Sequence, residues 1–460
     1  MRYQFKILVG LFLISSSLVK AQINVDIRKN EFKSGKTGFN DAWKNIKDGD
    51  LYFSQGGIWS GRAYNEYLKA SAYNNNNPEL NYKLGASALF SEHKEEAYEY
   101  LSKSMELKPD VADDVLLLAG HSLQYKGRFS EAIELFRKYL DSGVKKSDND
   151  IKLANKFTDE CIAAMEVTLD SINVTITNAG TNINSSADDY AEIVTGEEKL
   201  LYFASRRGLP KSSKYYSDSK FDENIFVSVI DNGSPGPASL ASEVLTTPYC
   251  ETPVSINTAN DSLFIYSGYE NGGDIKLSVK KKGKWKLPQD FNPDFNSRDN
   301  ESSFAVSPSG KEIYFVSNRK QDNLGGKDIY IIRKIDDRKW SDPQNAGPVI
   351  NSVYDEEALH FSVTGDTLWF SSRGHKSIGG FDIFYTVRNE AGDWVEVKNL
   401  GCPVNTPWDD MFFYPSPVDK KLFYFVSNRP GGAGGLDIYT GRLITPEAVV
   451  PIEATDMSTH

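Results

Sequence analysis

Two patterns of hydrophobic positions divide this chain. From Trp43 onward, apolar residues recur at helical spacing, as in Leu116-Leu117-Leu118-Ala119, and lie on one face of each helix. After residue 168 the pattern becomes the alternation of short β-strands separated by polar turns. The sequence therefore predicts a multidomain α-then-β chain, with a helical domain over residues 43–168 and a β domain over residues 169–445.

A short motif returns through the β half at an almost constant interval. Its clearest copy is Gly325-Gly326-Lys327-Asp328-Ile329-Tyr330, and the aspartates of its four copies stand at positions 274, 328, 382 and 437. Each copy follows an aromatic strand that stops at a polar turn, such as Tyr314-Phe315-Val316-Ser317-Asn318-Arg319. A unit of several short strands without a helix, repeated in this way, is typical of a propeller blade.

Two further features give the number of strands in each blade and the number of blades. Trp285, Trp340 and Trp394 open a further alternation in three units, which gives about four strands per blade. Five blades are predicted, and one serine marks the same place in each: Ser205, Ser267, Ser317, Ser372 and Ser427.

The first strand after the helical domain has no blade of its own. Residues 172–177 alternate as a strand, and the segment that follows them mirrors residues 345–352, which connect one blade to the next. The last blade, residues 409–443, contains only three strand candidates. We therefore expect residues 172–177 to pair with the last blade and close the ring, because an open propeller would leave two unpaired edges.

The helical half contains three units about 34 residues long. Small residues at fixed offsets let paired helices approach, and a large residue four positions later fills the space beside them. A last helix over about residues 151–167, capped by Asp148-Asn149-Asp150, would cover the end of the array. This pattern resembles the tetratricopeptide repeat, although a plain helical bundle remains an alternative. The aligned positions are Leu51, Gly85 and Gly120, then Ala63, Ala97 and Ala132, then Tyr67, Leu101 and Phe136.

The two ends of the chain have a different character. Residues 1–21 combine basic residues, an apolar run and small residues before Gln22, as a signal peptide does. Residues 22–42 show no clear period and are assigned no element, and residues 446–460 form a C-terminal tail. No later apolar run is long enough to span a bilayer. We expect a soluble protein outside the cytoplasm.

Charge and cysteine content exclude some classes of partner and site. The formal charge is −11, and loss of three basic residues with the signal peptide moves it to −14, so nucleic acid is not an expected partner. Cys161, Cys250 and Cys402 are far apart and match neither a metal site nor a redox pair. We interpret them as buried small residues, with one disulfide as the alternative.

No catalytic or cofactor-binding motif is present. The chain lacks a Gly-x-Ser-x-Gly elbow, a His-Glu-x-x-His helix and a phosphate loop, and its five histidines are scattered. We therefore expect no enzymatic activity, no cofactor and no metal site. The copies of the motif aspartate are interpreted as turn caps.

One acid recurs at the same place in every blade. A catalytic pair should be two exceptions among the repeats, so five equivalent acids favour a structural role, in contact with backbone or with Arg207, Arg319, Arg373 or Arg429. A site for a cation or a basic peptide remains the alternative. We predict that they form a ring about the propeller axis: Asp189, Glu251, Glu301, Glu356 and Asp410.

The two repeated motifs together resemble a known family. Phe-x-Ser-x-Arg followed by Gly-Gly-x-Asp-Ile-Tyr is similar to the WD-like propeller repeat of Bacteroidetes envelope proteins. The order signal peptide, tetratricopeptide repeats and five-bladed propeller, over about residues 43–445, resembles PorE-like periplasmic components of the type IX secretion system. The family's OmpA-like domain has no counterpart before His460, so peptidoglycan anchoring is not carried over.

The resemblance implies a periplasmic, non-enzymatic scaffold that reaches the outer membrane through envelope proteins of the secretion or gliding machinery. The alternative is a glycan-binding or carbohydrate-active propeller with a helical adaptor. In the resembled helical repeat, fixed positions face a groove that binds partners. Carried onto this sequence they give the predicted partner-binding residues, although Tyr82 could instead only pack between helices: Tyr52, Tyr82, His121, Gln124 and Tyr125.

Overall fold

The computed structural model describes residues 25–169, 172–210, 220–231, 233–247, 250–268, 272–291, 295–337 and 339–444. The predicted signal peptide and the C-terminal tail lie outside these residues. The described part divides into two compact units, one helical and one built from β-strands. This is the predicted α-then-β architecture.

Eight α-helices form the described part of the first unit. Six of them make three pairs in chain order, and each pair also contacts the next. The helices are α1 (Lys29–Phe32), α2 (Phe39–Phe53), α3 (Ser60–Ser71), α4 (Pro78–Leu89), α5 (Ala97–Leu107), α6 (Val115–Tyr125), α7 (Phe129–Asp141) and α8 (Asp148–Leu169).

Small residues bring the helices of each pair together. A Cβ on Gly85 would lie 2.5 Å from Leu101 Cγ, and one on Gly120 would lie 2.5 Å from the Phe136 ring. In the first pair the corresponding glycine is Gly49, whose Cβ would lie 2.6 Å from the Tyr67 ring. Leu51, which the sequence alignment used there, is 57% exposed. The alignment of the first unit was therefore wrong by two residues.

The last helix covers the third pair. Ser147 begins α8 as its cap, because the Asp150 amide donates to Ser147 Oγ (3.2 Å) and the Ser147 amide donates to the Asp150 carboxylate (3.0 Å). Ala154 and Cys161 of α8 are buried in one cluster with residues of α6 and α7. The predicted covering helix is confirmed, with the cap one residue earlier than expected.

The second unit is a propeller of five antiparallel sheets. The first blade contains β2 (Asp189–Val194), β3 (Leu200–Ser205), β4 (Asn224–Asp231), β5 (Ser234–Pro235) and β6 (Ser239–Leu240). The second contains β7 (Glu251–Ile256), β8 (Ser262–Ser267), β9 (Asp274–Lys281) and β10 (Lys284–Trp285). The third and fourth contain β11 (Glu301–Val306), β12 (Glu312–Ser317), β13 (Asp328–Arg333) and β14 (Gln344–Asn345), then β15 (Glu356–Phe361), β16 (Thr367–Ser372), β17 (Asp382–Val387) and β18 (Lys398–Asn399). The fifth contains β19 (Asp410–Pro415), β20 (Leu422–Ser427), β21 (Asp437–Leu443) and β1 (Val174–Asn178).

The last blade closes with the first strand of the unit. β1 pairs antiparallel with β21, and the register runs from Val174 opposite Leu443 to Asn178 opposite Tyr439. The innermost strands also contact one another in sequence around the ring, including β19 with β2. The predicted closure is confirmed.

The Gly-Gly motif is where one blade meets the next. A Cβ on Gly325 would lie 2.5 Å from Tyr354 O in the loop that enters the fourth blade. The residue after the two glycines, Lys327, accepts a backbone hydrogen bond from Glu356 (2.8 Å) and donates one to the Asp355 carboxylate (2.9 Å). Glycine is required because a side chain would separate the blades. The motif therefore carries the contact between neighbouring blades.

The motif aspartate caps the turn, as the sequence indicated. Asp328 accepts hydrogen bonds from the amides of Leu324 (2.6 Å) and Gly325 (3.2 Å) and from the Asn345 side chain (2.7 Å). Asn351 pairs its amide group with both backbone groups of Ile329. These bonds explain why the segment around residues 345–352 recurs between blades.

The three cysteines form no disulfide, and Cys161 and Cys250 are buried while Cys402 is half-buried. Burial raises the pKa of the Cys161 thiol well above its usual range. In the described part of the chain, no helix is both long and apolar enough to cross a membrane.

Candidate functional site

The five repeated acids occupy equivalent positions around the closed ring. Each is the first residue of an innermost strand and stands opposite the marker serine of the second strand. All five are fully buried. The acids, with the strands they begin, are Asp189 (β2), Glu251 (β7), Glu301 (β11), Glu356 (β15) and Asp410 (β19).

A serine or threonine four residues earlier holds each carboxylate. Ser297, for example, donates its amide and its hydroxyl to Glu301, both at 2.8 Å. The side chain thereby fixes the loop that delivers the chain from one blade to the next. The same pair of donors recurs at Ser185, Thr247, Ser352 and Thr406.

An arginine neutralises three of the five acids. Arg319 Nη2 lies 3.0 Å from Glu301 and also donates to Phe295 O at 2.9 Å. The equivalent ion pairs are Arg207 with Asp189 (2.7 Å) and Arg429 with Asp410 (2.6 Å). These contacts match the structural interpretation made from the sequence, because buried charges in proteins are normally paired.

The fourth blade departs from this arrangement. Arg373 follows Ser372 directly, one position earlier than the other arginines, and binds Asp409 (2.9 Å) instead of Glu356. The imidazole of His375 lies 2.9 Å from Ile350 O, the kind of carbonyl that the arginine contacts in other blades. Of the two contacts expected for a ring acid, backbone or arginine, Glu356 makes the backbone contact, with the Ser352 amide (3.2 Å), and not the contact with Arg373. Burial raises the pKa of Glu356 to about 8, although hydrogen bonds from Ser352 and Ser372 oppose the shift.

Replacing Glu356 by glutamine should flatten the dependence of stability on pH. The folded-state pKa of Glu356 lies above its ordinary value of 4.5, so its contribution is complete below about pH 4.5 and falls as the pH rises towards 8. Glu356→Gln should therefore gain stability relative to the wild type between pH 5 and pH 8, by on the order of 3 kcal/mol. Urea unfolding at both pH values measures this difference.

Glu301→Gln is the matched control, since it makes the same substitution at an equivalent acid that is paired with Arg319, and it should destabilise the protein at both pH values. An identical pH dependence for Glu356→Gln and wild type would contradict the elevated pKa of Glu356.

The propeller axis carries a small cavity of about 30 Å³ that all five innermost strands line. Each of these strands has a bulge, and Ala191, Ala358 and Phe412 adopt φ values near 55° there. Left-handed backbone costs a non-glycine residue of order 1–3 kcal/mol and is concentrated at functional sites. The cavity has room for about one or two water molecules, whereas a site for a drug-sized ligand is about ten times larger.

Glu192, His360 and Tyr414 bring polar groups to this cavity. Glu192 is 2% exposed, and no side chain in the described part of the chain donates a hydrogen bond to its carboxylate. Burial raises the pKa of Glu192 well above its usual range and lowers the pKa of His360 to about 4. Tyr414 donates its hydroxyl to Val194 O (2.9 Å) and packs on His360, with ring centroids 4.2 Å apart.

Glu192 was not among the predicted site residues, because it does not belong to the repeated set of acids. Counting three residues from the ring acids places Glu192 in register with Val254, Leu359 and Phe413. A single charge among apolar equivalents was the signal that could have identified it.

In the structure described here, no group of three or more His, Cys, Asp or Glu side chains could hold a metal ion.

The predicted groove residues of the helical unit differ in accessibility. Tyr82 is fully buried and donates to Asp114 (2.7 Å), while burial raises the pKa of Asp114 to about 6. Gln124 is 1% exposed and donates to Glu160 of α8 (2.8 Å). Both side chains are therefore out of reach of a partner in this arrangement. Tyr82 packs between helices, as the alternative interpretation held.

The other three predicted groove residues are half-buried. The ring of His121 stacks on the ring of Phe157 of α8, with centroids 4.0 Å apart. The ring centroids of His121 and Tyr125 are 5.0 Å apart. Tyr52 stacks on Trp59 with centroids 5.8 Å apart and nearly parallel planes. These three residues therefore lie in two separate places. Tyr52 and Trp59 form one cluster beside the first helix pair, called the Tyr52 cluster. Tyr125, His121 and Phe157 form the other beside the third pair, called the Tyr125 cluster.

No protein family matches this sequence, and no curated protein matches it either. Among solved structures, a glycoside hydrolase has 12% sequence identity and a TM-score of 0.41, covering 64% of this chain and 96% of its own. An endo-arabinase from Bacteroides thetaiotaomicron has 15% identity and a TM-score of 0.37, covering 58% and 97%. TolB from Acinetobacter baumannii has 11% identity and a TM-score of 0.34, covering 65% and 71%. At these identities the likeness concerns the fold only.

Proposed function

We propose that this chain is a non-enzymatic scaffold that binds other envelope proteins in an outer-membrane assembly. The observation that carries the proposal is the Tyr52 cluster of the helical unit. Tyr52 and Trp59 form a half-buried stack, and the Arg62 guanidinium lies 5.7 Å from the centre of the Tyr52 ring. Tyrosine, tryptophan and arginine are the residues that contribute most often to binding hot spots.

The Tyr125 cluster offers a second contact of the same chemistry. Lys94 Nζ lies 5.8 Å from the centre of the Tyr125 ring. The Tyr125 ring in turn packs beside the ring of His121. Rings of this kind supply contact area at a small cost in conformational entropy, and their polar atoms orient a bound peptide. Two such clusters on an array of helix pairs suit an extended partner segment.

The hydrogen bonds that hold the five ring acids support a role other than hydrolysis. A glycosidase needs two carboxyl groups facing a cleft that holds the sugar. The five ring acids are buried and bound by serine or threonine donors. The axial cavity of about 30 Å³ is also much smaller than a sugar-binding cleft.

The cellular setting in this proposal is the periplasm, and the assembly is type IX secretion or gliding. It rests on the resemblance of the two motifs and the domain order to PorE-like components. The expected partners are outer-membrane or periplasmic secretion components. Anchoring to peptidoglycan does not belong to the proposal.

Combining Tyr52→Ala with Tyr125→Ala should abolish capture of an envelope partner. Both side chains are half-buried at the surface, so the melting temperature should change by no more than a few degrees. Affinity capture from a cross-linked envelope extract, followed by mass spectrometry, measures the loss. Type IX components in the wild-type capture would support the assembly named above.

The control combines Leu68→Ala with Leu107→Ala, since these side chains are apolar and exposed at other places on the same unit. Unchanged capture by the tyrosine variant would contradict the helical contact. Retention on an immobilised envelope polysaccharide, without protein partners, would favour the glycan-binding alternative.

A further inference from the structure

The propeller axis is bounded by five strand edges. β2, β7, β11, β15 and β19 each lie at the end of their sheet, and an edge strand has one row of backbone N–H and C=O groups without a ladder partner. Bulges release further backbone groups near the cavity, because the extra residue of a bulge leaves the ladder. Residues of every blade line the axial cavity, and the innermost strands that carry them have peptide groups without a ladder partner.

Two side-chain contacts tie these edges together at the cavity. Ser303 Oγ accepts a hydrogen bond from the Leu359 amide (3.0 Å), which joins the third and fourth blades. The Tyr414 hydroxyl donates to Val194 O (2.9 Å), which joins the fifth and first. The walls are thus held together at two of the junctions between blades.

Glu192 brings one carboxyl group to the axial cavity. Glu192 lines the cavity and receives no hydrogen bond from any side chain that the structure describes. None of the described residues that line the cavity is lysine or arginine. A buried carboxylate without a counter-charge is costly in a protein interior, whereas the ring acids nearby have serine, threonine or arginine partners.

We propose that the axial cavity binds a small monovalent cation, sodium or potassium, through the Glu192 carboxylate and backbone carbonyl groups of the innermost strands. Hard cations take oxygen ligands, and peptide carbonyls replace their hydration shell where the cavity is narrow. The site is distinct from the partner contacts of the helical unit and does not depend on them.

Charge and size together select a monovalent ion. Calcium takes six to eight oxygen ligands and is usually held by several carboxylates, and magnesium keeps several of its waters. The cavity supplies one carboxylate and has room for about one or two waters. A single positive charge balances the ionised Glu192 carboxylate, so a bound cation would oppose the rise in the pKa of Glu192 that burial causes. One monovalent ion needs only this space.

The cation would bridge the blades. Glu192 lies on β2, which contacts both β7 of the second blade and β19 of the fifth. Binding would therefore stabilise the closed ring, because a ligand that binds only the folded state raises its stability. This gives the site a structural readout that needs no partner and no activity.

The direct test is crystallisation of the mature full chain with thallium(I) or rubidium in place of potassium. An anomalous peak in the axial cavity within about 3 Å of a Glu192 oxygen is expected. Absence of a peak at that position, with the ion at about 100 mM or more, would overturn the proposal.

A thermal test uses sodium, potassium and tetramethylammonium chloride at equal ionic strength and pH. The melting temperature should be about 2–4 °C higher in sodium or potassium at about five times the Kd, because tetramethylammonium is too large for the cavity. Glu192→Gln should abolish this difference. The control Glu197→Gln, an exposed acid paired with Lys199, should retain it. Equal melting temperatures in all three salts, or a difference that survives Glu192→Gln, would overturn the proposal.

Discussion

Deleting residues 172–178 is expected to abolish the soluble, folded propeller. The deletion removes β1, whose five residues pair with β21, and the contacts of Ile172, Val174 and Ile176 with the core between the last two blades. At about 1 kcal/mol for each lost hydrogen bond or half-buried aliphatic side chain, the cost is on the order of 5 kcal/mol or more. This is comparable to the whole stability of many domains.

The deletion also exposes the edge of β21 to other chains, so we expect aggregation as well as unfolding. Soluble yield, circular dichroism and size-exclusion chromatography measure the outcome. A rescue variant would place residues 172–178 after residue 444 through an Asn-Gly turn, since β1 is antiparallel to β21. Recovery of folded protein in that variant would assign the defect to closure. A deletion variant that remains folded and monomeric would disprove the closure model.

Gly434→Ala should destabilise the propeller by about 3 kcal/mol. An added Cβ would overlap with Ala187 O and lie 2.8 Å from Ser185 O, both backbone atoms of the loop that enters the first blade. Backbone atoms cannot turn aside as a side chain does, so the two blades must separate. Urea unfolding of the full chain, followed by tryptophan fluorescence, measures the loss.

Gly196→Ala is the matched control within the same unit. Its Cβ would meet nothing closer than 3.9 Å, so its stability should stay within about 0.5 kcal/mol of the wild type. Gly325→Ala repeats the test at another blade junction, where the added atom would lie 2.5 Å from Tyr354 O. Equal stabilities for Gly434→Ala and Gly196→Ala would show that the Gly-Gly motif does not hold the blades together.

The repeat could be recognised in the sequence because each blade obeys the same local constraints. The strand ending at Ser317, the Gly-Gly turn and Asp328 recur since every blade meets its neighbour through the same loop geometry. Closure by residues 172–177 followed from a blade that lacked one strand. In both cases the information is local and periodic, which is what a single sequence records well.

Contacts between distant segments could not be predicted in the same way. The first helix pair uses Gly49 rather than Leu51 because the position opposite Tyr67 must be small, and only the packed pair shows which residue stands there. Gln124 was assigned to a groove, but α8 covers it and Glu160 accepts its hydrogen bond. Helical spacing shows which face is apolar and not what covers that face.

The sequence by itself determined the order of the two units, the number of blades, the equivalence of the five ring acids and the strand that closes the ring. Only the tertiary structure decided which of these acids pair with an arginine: Arg319 pairs with Glu301, whereas Arg373, which stands one position earlier in its blade, pairs with Asp409. Only the tertiary structure also placed Glu192 at the axis, without a side-chain donor among the described residues. The physical reason is that periodicity follows from contacts that are repeated in every unit. The charge balance of a buried group depends instead on side-chain contacts that occur at only one place in the fold.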